Sequence, residues 1–325
     1  MHQTVKASLL MAVLSFPSAL WALEPEVQAA KDEGMRLWGI SEWIEMQPYL
    51  ELAAEAGDVE AMYYLGEATR LLDRGLSQRA MAWYLQAAEQ GDVHAMLRLF
   101  QGGACTAGDH CPDGHEDWHH AALDVTQPQA EAGDPAAMLA MFDIYRMFDQ
   151  PRRAGDWLER AAEAGQPEAQ TILGNQILDG RGWYLTNGRR LSAAESWFRK
   201  AAEQGHVPGM SGLARVLNEQ NNYSSSWDWL LKAAEAGHAD RFLSVGWCYF
   251  DPEIEERCPP EGDPVKGWAM LSILAEKTNN SLLDSFMKEN ENSLAIEQHE
   301  EAKSLVESWR EKELQLSNFP ARFGY

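Results

Sequence analysis

One phrase recurs six times along the chain. It reads LAAEAGDVEAMYYLG at 52–66, QAAEQGDVHAMLRLF at 86–100, QAEAGDPAAMLAMF at 129–142, RAAEAGQPEAQTILG at 160–174, KAAEQGHVPGMSGLA at 200–214 and KAAEAGHADRFLSVG at 232–246. Its pivot glycines are Gly57, Gly91, Gly133, Gly165, Gly205 and Gly237. Tandem repetition of one structural unit accounts for this pattern, and such units bury their apolar faces only against their neighbours. A chain of this kind folds as a stack rather than around one central core.

Each position in the phrase has a physical task. Alanine stands three residues before every pivot and glutamate two before it, from Ala54 and Glu55 to Ala234 and Glu235. The pivot glycine suits a helix that ends in a left-handed residue. The Asp, Gln or His that follows can start the next helix. Eight residues past the pivot come Leu65, Leu99, Met141, Leu173, Leu213 and Val245. Four past it stand Ala61, Ala95, Ala137 and Ala169, and spacings of four and eight mark one helix face. Each unit therefore reads as helix, glycine turn, helix. Eight residues before the pivot runs an aromatic column, Tyr49, Trp83, Trp157, Trp197 and Trp229, broken by Val125. Recurrence at one helical position makes this a packing column. No strand pattern follows residue 22.

The phrase A-A-E-x-G-x-x-x-A-x-x-x-L-G resembles the Sel-one-like repeat family, relatives of the tetratricopeptide repeats, over roughly residues 40–280. The resemblance implies an all-α, right-handed α/α solenoid with a protein-binding role. Repeat three departs from the pattern by lacking the aromatic, and repeat six by placing Arg241 and Phe242 where the family has Ala and Gln or Met. The expected division is a signal peptide at 1–22, an N-terminal capping helix at 23–40, the solenoid at 41–280 with six to seven repeats, and a C-terminal helical cap at 281–325. Residues 263–276 read as the first helix of a seventh unit, and 294–316 as the amphipathic cap such stacks need.

Residues 1–22 hold one Lys, no acid, an apolar run from Leu9 to Phe16 and Ala22 before LEPE. This reads as a secretory signal peptide cleaved near Ala22. The alternative is an uncleaved anchor helix, for which the run is short. The expected location is periplasmic, with no stable membrane insertion after cleavage. The net charge of −23 repels nucleic acid and anionic lipid and speeds encounter with basic partners. Four cysteines in an exported chain suggest disulfides. Cys105 and Cys111 fall between repeats two and three, Cys248 and Cys258 after repeat six. With each repeat adding on the order of 10 Å, only local pairs bring Cα atoms within roughly 7 Å. The expected bridges are Cys105–Cys111 and Cys248–Cys258.

The stretch HEDWHH contains H-E-x-x-H, formed by His115, Glu116 and His119. On a helix, that spacing holds zinc in metalloproteases. Asp113–Gly114 can cap a helix, so His115 is expected to open the first helix of repeat three and share a face with His119. A zinc hydrolase also needs a third protein ligand and a substrate-binding edge, and neither is found. The segment is read as an exposed helix start, with His115 and His119 as metal ligands in the alternative. No cofactor is expected, and no other catalytic constellation appears. The chain is read as a non-enzyme.

Contact candidates lie in the long connections. The stretch GRGWYLTNGRR at 180–190 places Arg181, Arg189 and Arg190 in a basic island, with Trp183 and Tyr184 as loop aromatics outside the periodic core pattern. Tyr223, Trp227 and Asp228 mark a second junction, and Trp118 closes the cysteine-bearing loop. Among exported members of the resembling family are immunity proteins that neutralise antibacterial effectors such as type VI secretion phospholipases. Others are scaffolds for secretion or exopolysaccharide assembly. The resemblance therefore implies a protein partner, in the first case a cationic secreted toxin.

Overall fold

The computed structural model describes residues 23–108, 110–255, 258–259, 261–312 and 314–323. The expected signal peptide at 1–22 lies outside the described residues. A lone helix α1 (Pro25–Gly39) precedes a series of helix pairs. These are α2 (Gln47–Glu55) with α3 (Val59–Leu72), and α4 (Gln78–Glu89) with α5 (Val93–Gln101). After the one-turn α6 (Ala104–Gly108) come α7 (Trp118–Glu131) with α8 (Pro135–Met147), and α9 (Pro151–Glu163) with α10 (Pro167–Leu178). The series continues with α11 (Asn187–Glu203) and α12 (Val207–Glu219), α13 (Tyr223–Glu235) and α14 (Ala239–Phe250), and α15 (Pro264–Lys277) and α16 (Ser281–Glu289), before a closing α17 (Ile296–Glu311). Among the described residues there is no strand, only an isolated bridge between His238 and Ser317. The chain is an all-α solenoid.

The repeated phrase builds the turn between paired helices. Gly57 has φ +91°. Its N–H donates to Ala54 O at 2.9 Å, and that of Asp58 donates to Ala53 O at 3.0 Å. This double closure satisfies the last carbonyls of α2, and it needs a left-handed residue where only glycine is unstrained. All six pivots have positive φ. The residue after the pivot then starts the second helix. Asp58, Asp92, Asp134 and Gln166 each accept a backbone N–H three residues on, at 2.8–2.9 Å. The alanines before the pivot, from Ala54 to Ala234, are buried where the helices meet, while the six glutamates beside them face solvent.

The core lies one residue away from the aromatic column. Leu50, Tyr84, Thr126, Leu158, Phe198 and Leu230, seven before each pivot, are all at most 5% exposed. The tryptophans at the preceding position are half-buried at the border of the core. They also carry cations: Arg160 lies 3.7 Å over Trp157, Lys200 4.0 Å over Trp197 and Lys232 4.1 Å over Trp229. The column packs, but as a cation-covered rim, because an indole buries its body and leaves an edge in water.

Helices α16 and α17 fall within the expected cap at 281–325, and the segment that follows them is not helical. Helix α17 ends at Glu311, and residues 314–323 run non-helically across the inner face of the stack. Ser317 N–H donates to Gly237 O at 2.8 Å, Ala239 N–H to Ser317 O at 2.9 Å, and Asn318 N–H to Gly39 O at 2.7 Å. Residues 317–318 thus touch both the sixth repeat and the N-terminal capping helix. Ile40 packs against the first and last core clusters, and Asn279 donates to Glu42 at 2.9 Å. The superhelix curves far enough to bring its seventh unit against its N-terminal cap.

Candidate protein-interaction surfaces

The HEDWHH segment does not form the expected helical face. Asp117, not Asp113, is the N-cap of α7, and its Oδ1 accepts the His120 N–H at 2.9 Å. His115 and Glu116 therefore precede the helix, and the i, i+4 geometry does not exist. His119 is 1% exposed, against the expectation of an exposed helix start. Its Nε2–H donates to Ile144 O at 2.8 Å, and its ring stacks on Phe148 with centroids 3.3 Å apart. Burial holds its pKa below the usual histidine value. His115 sits instead beside Asp124, 3.3 Å away. Among the described residues no three His, Cys, Asp or Glu side chains converge as a metal set. Glu116→Ala should change stability by no more than about 0.5 kcal/mol, as for an exposed residue, whereas His119→Ala should cost about 2–4 kcal/mol. Thermal melts of the two variants check this, and equal melts would refute the core role of His119.

The cysteines pair as expected, Cys105 with Cys111 and Cys248 with Cys258, at Cα separations of 4.7 and 5.1 Å. Trp118, expected as a contact residue, is only 5% exposed, and its indole N–H donates to His110 O at 2.7 Å. It closes the loop from inside and presents no surface to a partner.

The 180–190 stretch separates into anchors and one projecting ring. Arg181 folds back, with its guanidinium hydrogen-bonded to Gln176 and lying over Gly155. Arg190 donates to Leu178 O at 2.5 Å. Tyr184 packs on the core of repeats four and five, around Ile177, Leu191 and Phe198. Trp183 is 82% exposed, with Leu185 exposed beside it. The next inter-repeat junction exposes Tyr223, and the one after it Ile254, which sequence reading missed along with Leu185. Trp227 is not free: it meets Tyr249 edge-on at 5.6 Å and packs into the last cluster, while Asp228 faces solvent. Exposed apolar side chains thus stand in or beside three successive connections between helix pairs.

A second surface lies inside the curve. It rests on a buried ion network in which Arg98 Nε and Nη2 grip Glu67 at 2.6 and 3.0 Å, Arg70 binds the same carboxylate at 2.8 Å, and the Tyr84 hydroxyl donates to it at 2.6 Å. Burial opposes the charge on Glu67, but Arg98 and Arg70 outweigh it and hold its carboxyl below the usual range. On this platform sits the segment after α17. Tyr63 OH donates to Arg322 O at 2.6 Å, Arg322 Nη2 meets Asp92 at 2.6 Å, and the Arg98 guanidinium lies 4.4 Å from the Phe323 ring centre. Phe323 borders a cavity of about 380 Å³, lined also by His94, Asp143, Arg146, Glu168 and Ile172. None of these residues carries a sequence signal for such a site. A larger cavity, about 830 Å³, lies between α15, α16 and α17, away from every sequence-predicted residue.

Residues 59–92, 146–166, 167–206 and 218–238 match the family model of the Sel1 repeat. The chain carries Sel1 repeats. The matched stretches cover α3 with α4, α9, α10 with α11, and α13, one helix out of step with the pairs joined by the pivot glycines. Over 132 residues the chain is 31% identical to the chitin synthase regulator of Saccharomyces cerevisiae, a stretch covering 38% of this chain and 17% of that protein. It spans less than a fifth of that curated relative. Among solved structures, it is similar to a protective antigen of uropathogenic Escherichia coli with an SLR fold (TM-score 0.47, 21% identity, covering 89% of this chain and 62% of that one). It is also similar to a Sel1 repeat protein from Oxalobacter formigenes (TM-score 0.41, 18% identity, 75% and 98% covered). A third is an immunity protein of Pseudomonas aeruginosa (TM-score 0.40, 18% identity, 81% and 86% covered). Among the described residues, no helix is long and apolar enough to cross a membrane.

Proposed function

We propose that this Sel1-repeat protein is a non-enzymatic, periplasmic binding solenoid, and that it is an immunity protein whose partner is a cationic antibacterial toxin of the secreted phospholipase kind. The observation that carries the reading is the exposed pair Trp183 and Leu185, with Tyr223 and Ile254 exposed at the next two connections. A tryptophan exposed to 82% on a firmly anchored loop leaves a large apolar area in water, and such rings become binding hot spots when a partner covers them. Charge supplies the sign of the partner. The glutamates Glu55, Glu89, Glu131, Glu163, Glu203 and Glu235 are solvent-facing at one position of every repeat. In a chain of net charge −23, this row attracts a basic protein and speeds its docking.

The test is capture from the periplasm and membranes of the source organism, followed by toxin inhibition and binding by a Trp183→Ala variant. The expected result is recovery of a basic secreted toxin that the protein inhibits. Trp183→Ala should weaken its binding at least tenfold, equivalent to about 1.4 kcal/mol. Undiminished binding by the variant would remove the Trp183 loop from the interface. Recovery of envelope-assembly components without a toxin would replace immunity by scaffolding.

A further inference from the structure

The ten residues 314–323 lie on the inner face of the stack in the manner of a bound peptide. Their one-rung pairing with Gly237 and Ala239, at the turn between α13 and α14, uses main-chain groups. Their side chains fill fixed places. Leu316 is 1% exposed in the last core cluster, Phe323 is 6% exposed in the first, and Arg322 lies between the carboxylates of Asp92 and Glu60, 2.6 and 4.0 Å away. The receiving groups belong to four helices: Gly39 on α1, Tyr63 on α3, His94 and Arg98 on α5, and Ala239 on α14.

Around Phe323 the groove is lined on α8 and α10 by Asp143, Arg146 and Glu168. Its chemistry matches what it already holds: acid for a guanidinium, then aromatic and cationic faces for a ring.

We infer that the inner groove is a recognition site for an extended segment of a partner protein carrying an arginine followed by an aromatic residue, and that residues 314–323 occupy it as a built-in competitor. The inference deepens the reading of the chain as a binding solenoid and rests on it. A tethered competitor acts at high effective concentration. A partner's segment must displace it, and the apparent affinity falls by the fraction of molecules with the groove open. Disabling the two anchors, Arg322 and Phe323, raises that fraction.

The test uses the full chain and a labelled peptide, LQLSNFPARF, copied from residues 314–323. The Arg322→Ala/Phe323→Ala variant should bind the peptide at least tenfold more tightly than the unaltered protein, by fluorescence anisotropy. The same peptide with both anchors changed to alanine should not bind. Equal binding by both proteins, or binding by neither, would overturn the inference. So would dimers of the variant that exchange their own 314–323 segments, which would make a second copy the occupant. Hydrogen exchange on the unaltered protein decides the case in which the variant does not fold. The Ser317 and Asn318 amides should exchange at least a hundredfold faster than those in the middle of α3. Exchange of all these amides at one slow rate would make the segment a fixed part of the fold and refute the inference. No toxin enters these experiments and Trp183 is left intact, so failure here is distinguishable from failure of the immunity reading.

Discussion

Glu67→Ala is expected to lower the unfolding free energy by about 3–5 kcal/mol, because it strands a buried cation. Arg98 is 3% exposed, and two of its guanidinium nitrogens close on Glu67. The Tyr84 hydroxyl also loses its acceptor, and burial pushes its phenol far above the usual pKa, so it stays a donor. Neither group can reach water without opening the face between α3, α4 and α5. The effect has a sign in pH. The folded pKa of Glu67 is depressed below its ordinary 4.5. Its contribution is therefore fully present above the unfolded value and is lost as pH falls through the folded one. The gap between the unaltered protein and the variant should be constant from pH 8 to about pH 5.5 and shrink below 4.5. Denaturant titrations across this range measure it. A loss under 1 kcal/mol at neutral pH would mean that Arg98 finds other partners.

The parts of this fold that could be read from sequence are those whose causes are local. A glycine with positive φ, an aspartate cap one residue later and alanines where two helices meet need only a few neighbouring residues. Each therefore leaves a fixed mark in the phrase. The same locality explains the cysteine pairs, since stacking distance rules out the alternatives. The errors arise where two neighbours compete for one role. Asp113 and Asp117 could each cap α7, and Asp117 takes the place, which moves His115 off the helix and leaves His119 against Phe148. In the aromatic column the eye goes to Trp83 and Trp197, but Tyr84 and Phe198, one residue on, are the fully buried pair. Loop aromatics divide in the same way: Trp183 projects, whereas Trp118 and Tyr184 turn inward, and composition is alike for all three. The inner groove left no mark at all. Arg322 meets Asp92 across 230 residues, and only the curvature accumulated over six repeats brings them together.

The second large effect is expected where one repeat locks onto the next. Phe198 in α11 is fully buried against Gly174 of α10 and Gly212 of α12, and a Cβ at Gly174 would stand 2.8 Å from its ring. Tyr84 stands in the same relation to Gly66, at 2.6 Å. Phe198→Ala should therefore cost about 3–5 kcal/mol through the cavity it leaves. Gly174→Val should cost about 1–3 kcal/mol through crowding against the ring. In the double variant the valine enters the space the ring has vacated. Its loss should then fall short of the sum by about 0.5–3 kcal/mol, the range for directly touching residues. Because a solenoid is held together by nearest-neighbour interfaces, damage here weakens the joint between repeats four and five more than either half. Denaturation of Phe198→Ala, followed by tryptophan fluorescence and by helix content, should show two transitions where the unaltered protein shows one. Strict additivity in the double variant would mean that the ring and Gly174 do not share one packing site. A single shifted transition would mean that the 314–323 segment, by joining the sixth repeat to the first two, restores the cooperativity the damaged joint has lost.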